Sequence, residues 1–347
     1  MKNIKKTSTI YLFLAILTLS SCTNINYEKK TDNIQKIKVQ AGWLLNGEFA
    51  NICSAITEGF YENEGLDVEL IPGGPSGAMN IIPSTVIAQD NSILIGIEND
   101  LIPIVRGITK ENESEKLKIK AFATFWNDNP YGFIVNKDSG IKSLKDFSLT
   151  KPNGNKIKIG VTAESVAPNA IAKTIGIDVK DLNLSIVGYD ATPFLTGQVD
   201  ALAAYWTTQV YEVEKAGIKY DFLPASELEA FNQPSMVAIA TDSTLKNNKQ
   251  TLVKWLKATV KGTEFVIKNP EKAAKNILDN RCGGNKFIYE QELWLINRSI
   301  PLFESKQIGK FNKTQVLNFL NAYYQLDQIP YIPQYEEIVD TSILESM

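Results

Sequence analysis

The chain of 347 residues contains no histidine. That excludes a Ser-His-Asp triad, imidazole acid–base catalysis and metal sites built on imidazole. Cysteine is almost as scarce: Cys22, Cys53 and Cys282 are the three present, and they cannot make a structural cysteine zinc site. A dominant charge is also missing, with 36 basic and 39 acidic residues. No Lys/Arg cluster resembles a nucleic-acid footprint. Beyond the N-terminal segment there is no apolar run long enough to span a bilayer. No catalytic residue, metal, cofactor or nucleic-acid partner is therefore assigned.

What is present starts with a targeting segment. Lys2, Lys5 and Lys6 precede an apolar run from Ile10 to Leu19, which is too short for a comfortable membrane helix. It ends in Leu19-Ser20-Ser21-Cys22, which looks like a bacterial lipobox. On that reading residues 1–21 are a lipoprotein signal peptide and Cys22 carries the lipid. The plainer reading is an ordinary secretory signal that happens to contain a cysteine. Two or three acyl chains would anchor firmly where one is marginal. Residues 22–36 are polar and read as a flexible tether. The folded body is expected outside the cytoplasm, held at a membrane in the periplasm or on the outer face of the cell. Cys53 and Cys282 could pair in an oxidising compartment. Cys53 also sits in an apolar helical pattern that suits a buried free thiol equally well.

The body alternates strand and helix patterns. Strands are expected at 37–43, 66–71, 92–97, 119–126 and 131–136, with a helical pattern at 50–64 stopped by Gly65. Residues 76–89 read as one or two short helices interrupted near Pro83. The pattern then restarts: strands at 156–161, 184–188 and 200–205, with helices at 167–175 and 207–216. A strand at 235–241 returns the chain to the first block, and helices fill 248–269, 270–279, 289–299 and 313–326. This order predicts an α/β protein with mostly parallel sheets. Residues 37–128 and 235–347 would form one lobe, and residues 129–234 the other. Two lobes joined by crossing segments imply a hinge and a central cleft.

Several blocks carry a resemblance. They are Ala41-Gly42-Trp43-Leu44-Leu45-Asn46 with Phe49-Ala50, the stretch from Gly59 to Gly74, Asn129 to Val135 with Ser139 to Phe147, and Val187 to Pro193 with Leu195 to Ala201. In this order the chain resembles solute-binding proteins of the NMT1/THI5-like group, related to the SsuA and ThiY type of ABC-transporter receptors. The resemblance implies the type II periplasmic-binding-protein fold, closing two lobes over one ligand. Glu48, Asn51 and the bulky junction Ala204-Tyr205-Trp206-Thr207-Thr208-Gln209 depart from the family pattern where a ligand should sit.

Candidate ligand-binding residues follow from strand ends. Trp43, Trp126, Tyr205 and Trp206 end strands in both blocks and suit a planar ligand. Each is also an ordinary core or hinge residue. Tyr189 lies in the fourth block. Asn46, Asn127, Asn169 and Gln209 offer paired donors and acceptors that can read the edge of a pyrimidine or flavin ring. Ser76 and the N–H groups near Gly73 and Gly74 could hold an oxygen or phosphate, or Ser76 could cap a helix. Glu164 and Asp190 follow strands of the second block. A carboxylate there repels sulfonate or nitrate and accepts from a ring N–H, although either could simply cap the following turn. Glu98, with Asn99, ends a strand of the first block.

The leading expectation is the receptor of an ABC importer, a monomer binding a small heterocycle and delivering it to a membrane permease. A thiamine-type pyrimidine precursor and riboflavin are the leading ligands. The alternatives are a receptor for an alkanesulfonate such as taurine, or a surface lipoprotein with no transport role. Eukaryotic members of the resembled group make the thiamine pyrimidine using a histidine of their own chain. This chain has no histidine to give and carries an export signal, so an enzyme is not expected.

Overall fold

The computed structural model describes residues 34–76, 79–303 and 308–347. The expected signal peptide, Cys22 and residues 22–33 of the expected tether lie outside them, and the tether expected to run to residue 36 gives way to a strand at Gln35. In chain order the strands are β1 (Gln35–Ala41), β2 (Leu66–Ile71), β3 (Pro75–Ser76), β4 (Met79–Asn80), β5 (Ile93–Asp100), β6 (Ile119–Trp126), β7 (Tyr131–Asn136), β8 (Lys158–Val161), β9 (Asn183–Ile186), β10 (Ala201–Tyr205), β11 (Tyr220–Pro224) and β12 (Ser235–Thr241).

Two five-stranded sheets organise the molecule, ordered β2-β1-β5-β12-β6 and β11-β7-β10-β8-β9. In the first, β1 runs parallel to β2 and β5, while β12 runs antiparallel to β5 and β6. In the second, β8 is parallel to β9 and β10, and β7 is antiparallel to β10 and β11. Both sheets are therefore mixed, where the strand–helix alternation predicted mostly parallel ones. The antiparallel pairs involve β7 and β12, the strands that directly follow the two crossings between sheets.

Local chemistry explains the other differences. The helical pattern at 50–64 is two helices, Ala50–Thr57 and Phe60–Asn63, broken at Gly59 with φ of 72°. Only Pro83–Gln89 of the stretch 76–89 is helical, because β3 and β4 pair ahead of it. The edge strand β11 has no sequence signal of its own; Asp221 and Pro224 interrupt the apolar pattern.

The first sheet is covered by the helix Lys249–Lys268. It buries Leu252, Trp255, Leu256, Thr259, Thr263 and Val266, a stripe at three- and four-residue spacing. Helix Ala50–Thr57 packs across it so closely that a Cβ on Gly262 would lie 2.1 Å from the Asn51 carbonyl oxygen. Asn51 points its amide to Thr263 at 3.4 Å, so this family departure serves the helix crossing. Cys53 is disulfide-bonded to Cys282, with Cα atoms 5.8 Å apart. Among the described residues no helix is long and apolar enough to cross a membrane.

The chain passes between sheets after β6 and again after β11. Gln315, on the helix Lys313–Gln325, ties both passages: its amide donates to the Asn127 carbonyl at 2.9 Å and to Asn232 Oδ1 at 3.1 Å.

Candidate functional site

The site begins where β1 ends. The loop after β2 crosses that end so tightly that a Cβ on Gly73 would sit 2.3 Å from the Ala41 carbonyl oxygen. Gly73 instead donates its N–H to the Trp43 carbonyl at 2.9 Å, which fixes Trp43 at the edge of the sheet. From the second sheet, Tyr189 follows β9 and meets Trp43 edge-on, with ring centroids 5.4 Å apart. The Tyr189 hydroxyl hydrogen-bonds to the Glu164 carboxylate, in the turn after β8.

Behind this pair the Gln209 amide is used at both ends. It donates to the Tyr189 carbonyl at 2.9 Å and accepts the Tyr205 N–H at 2.8 Å. Tyr131, at the start of β7, stacks on Phe231 at 5.1 Å and meets Tyr205 edge-on at 5.7 Å. Its hydroxyl lies 3.1 Å from Ser165 Oγ, and burial pushes it up to about 12. Burial likewise raises Tyr205 well above the usual phenol value, so these rings are neutral apolar walls with polar tips.

Carboxyl groups supply most of the site's electrostatics. Asn46 caps the turn Gly47–Phe49 by accepting the Glu48 N–H at 3.1 Å. That turn buries Glu48, which accepts the Thr207 hydroxyl from the other sheet's side at 2.8 Å. Burial raises Glu48 to about 7, against the opposing hydrogen bonds from Thr207 and Asn46. Glu292 accepts the Gly47 N–H through Oε2 at 2.6 Å, while its buried Oε1 has no partner. Burial, with a contribution from the Glu48 charge, raises Glu292 to about 7. Glu98 accepts the Ser84 N–H at 2.7 Å and is also raised by burial to about 7. Burial raises Asp100 to about 6, although it accepts the Ile102 N–H and feels Arg106. Among the described residues none of Glu48, Glu98, Asp100, Glu164 or Glu292 forms an ion pair with lysine or arginine. Glu48, Glu98 and Glu292 are buried, where an unpaired charge is costly, whereas Asp100 is half-buried and Glu164 is exposed. Collected with aromatic rings, they favour a planar partner rich in N–H donors.

The remaining sequence candidates fall in different places. Trp43, Tyr189 and Glu164 come together, with Tyr205 linked to them through Gln209. Asn46 is buried beneath them as the cap for Glu48. Trp206 packs under the Arg298 guanidinium, 5.8 Å from its ring centroid. Trp126 is 1% exposed and packs edge-on against Phe303 at 5.7 Å, inside the core. Asn127 offers its carbonyl to Gln315. Asp190 accepts the Thr192 N–H at 2.8 Å, and hydrogen bonds from Thr192 hold it below the usual carboxylate range. Asn169 is exposed and lines a surface groove with Lys173, Gln325 and Asp327. Ser76 lies in β3, which pairs with β4. Sequence reasoning left Glu48, Thr207, Tyr131 and Glu292 out of the site. Glu48 and Thr207 were visible only as departures from the family pattern.

A third point of contact between the sheets flanks the cleft. Trp294 and Arg298, on the helix Tyr289–Phe303, reach Glu214 on the helix Val210–Lys215. The Trp294 indole donates to Glu214 Oε2 at 2.9 Å, Arg298 pairs with Oε1, and Arg298 also donates to the Tyr220 hydroxyl at 3.2 Å.

Two mixed sheets joined by two crossings, with residues of both meeting in a cleft, define the periplasmic-binding-protein fold. Solved structures agree. The periplasmic sulfonate-binding protein SsuA of Methylobacillus flagellatus superposes with a TM-score of 0.60 at 15% identity, covering 90% of this chain and 94% of that one. Residues 46–273 match the family model described as NMT1/THI5 like, and the chain belongs to that family. Across 337 residues it is 22% identical to the formylaminopyrimidine-binding protein of Halalkalibacterium halodurans, spanning 93% of this chain and 96% of that protein. It is also 25% identical over 260 residues to a 4-amino-5-hydroxymethyl-2-methylpyrimidine phosphate synthase of Saccharomyces cerevisiae, covering 70% of this chain and 71% of that one.

Proposed function

We propose that this protein is the solute-binding receptor of an ABC importer. It captures a small aromatic nitrogen heterocycle, a thiamine-type pyrimidine precursor or riboflavin, and delivers it to a permease in the cytoplasmic membrane. The observation that carries this reading is the meeting of Trp43 and Tyr189 across the cleft, with Glu164 on the Tyr189 hydroxyl. A flat ring entering between the sheets finds an aromatic face from each and a carboxylate acceptor at its edge. The formylaminopyrimidine-binding relative supports the same ligand class.

Binding and closure are the whole mechanism. Ligand bound by both sheets shifts the population toward the arrangement that the permease recognises. The synthase relatives do not carry their activity over, because the chain has no histidine to donate. The receptor works as a monomer outside the cytoplasm, tethered through a lipid on Cys22.

A thermal-shift panel tests this. The full chain is mixed with riboflavin, thiamine, the hydroxymethyl- and formylamino-pyrimidines, taurine and nitrate. A saturable upward shift with a heterocycle is expected. A shift with taurine or nitrate alone would replace the reading with an anion receptor. A flat panel would favour a surface lipoprotein without a transport role.

A further inference from the structure

Glu48 stands out among the buried carboxyl groups because of what satisfies it. It is 7% exposed, lies between the two sheets, and takes its cross-cleft hydrogen bond from a neutral threonine hydroxyl. Among the described residues no lysine or arginine forms an ion pair with it. The same turn leans on a second carboxyl, Glu292, which is fully buried and leaves Oε1 without a donor. One acceptor on this short turn and a second, from the helix Tyr289–Phe303, that grips its backbone are thus buried together, and Glu292 Oε1 is left without a donor. Such an arrangement is stable enough to persist when a ligand supplies the missing donors.

We propose, resting on the receptor reading above, that Glu48 determines specificity: on ligand binding it exchanges the Thr207 hydroxyl for the N–H donors of a protonatable amino-heterocycle, with Glu292 backing the same turn. Thr207 then acts as the place-holder that satisfies Glu48 in the empty receptor. The ligand class narrows accordingly. An amino-substituted pyrimidine offers an exocyclic N–H₂ beside a protonatable ring nitrogen, two donors at the spacing of one carboxylate. A sulfonate or nitrate offers none and is repelled. The 4-oxo analogue of the same pyrimidine has equal shape and an acceptor where the amino donor was.

Calorimetric titration of the full chain in detergent tests this with two probes, 4-amino-5-hydroxymethyl-2-methylpyrimidine and its 4-oxo analogue. The wild-type protein should prefer the amino compound by at least about tenfold, since a carboxylate meeting an acceptor leaves two buried groups unpaired. Glu48→Gln should weaken the amino compound by about tenfold or more and erase or reverse the preference, because the amide can donate to the 4-oxo oxygen. Thr207→Val should retain the preference and bind the amino compound as tightly as wild type or tighter. Glu48→Asp, which keeps the charge, should keep the preference at lower affinity. Should Glu48→Gln fail to fold, Thr207→Val and Glu48→Asp decide: loss of preference in both would overturn the assignment. Retention of the wild-type preference by Glu48→Gln would overturn it while leaving the receptor reading intact. If the wild-type protein bound neither pyrimidine, the assignment would fall, and the thermal-shift panel would show whether the wider receptor reading falls with it.

Discussion

At the scale of single residues, the buried acids make a prediction about pH. Glu98 is 3% exposed and its carboxyl is raised from 4.5 to about 7 by burial. In the unfolded chain the group ionises near its ordinary value, so between about pH 4.5 and 7 the folded state holds a proton the unfolded state has lost. Stability is therefore present in full at low pH and declines as pH rises through that window. The difference corresponds to on the order of 3 kcal/mol for this one group. Glu48 and Glu292 act in the same direction. Thermal melts at pH 5 and pH 8 should show a lower midpoint at the higher pH, and Glu98→Gln should shrink the gap while keeping the Ser84 hydrogen bond. An equal gap in the variant would mean that Glu98 is not the source. The limits of the sequence are also clearest here. Trp43 and Tyr205 were identifiable as strand-end aromatics, and their rings meet Tyr189 and Tyr131. Trp126 has the same signature but faces Phe303, because all but one residue of β6 are buried and no alternation marks which face meets the cleft. The Glu48–Thr207 bond spans 159 positions, a distance over which no local pattern gives pairing.

At the scale of elements, the contact between helices Ala50–Thr57 and Lys249–Lys268 is set by one missing side chain. Gly262→Ala places a methyl group 2.1 Å from the Asn51 carbonyl oxygen. The helices must separate, and a loss of about 1–3 kcal/mol is expected in a denaturant melt, the usual cost of overpacking. The same helix pair carries Cys53. Replacing Cys53 and Cys282 with serine should lower stability by about 2–4 kcal/mol, and a reductant should reproduce the effect in the wild-type protein but not in the double variant. Most of these elements were legible beforehand. Gly65 and Gly176 stop helices where the pattern ends, and β1, β2, β6 and β7 begin or end within two residues of their expected bounds. The exceptions share a cause. β11 and the β3–β4 ladder are stabilised by their pairing partners rather than by their own alternation, so their composition carries little signal.

At the scale of the whole molecule, the contacts that join the two sheets include ring on ring, hydroxyl on buried carboxyl, and the exposed cluster of Glu214 with Arg298 and Trp294. The last is a clasp that no ligand needs to touch. Its side chains are roughly one-third exposed, so it contributes about 0.2–1 kcal/mol to holding the two sheets together. On the receptor function proposed above, Glu214→Ala should leave the melting midpoint nearly unchanged, enlarge the ligand-free particle in small-angle scattering, and weaken ligand binding up to about fivefold by making closure less favourable. No change in scattering or affinity would show that the clasp is ornamental to closure.

The disulfide has a consequence at this same scale. Cys53 and Cys282 lie 229 positions apart, and every strand of the second sheet falls between them. The chain is in effect a closed ring with two loose ends, and the whole second sheet is strung on that ring. A protease that cuts the exposed turn at Pro152–Lys156 opens the ring without releasing anything. The severed protein would migrate as one species until reductant is added, then fall into two. The chain can thus be cut in its second sheet and still keep both halves together.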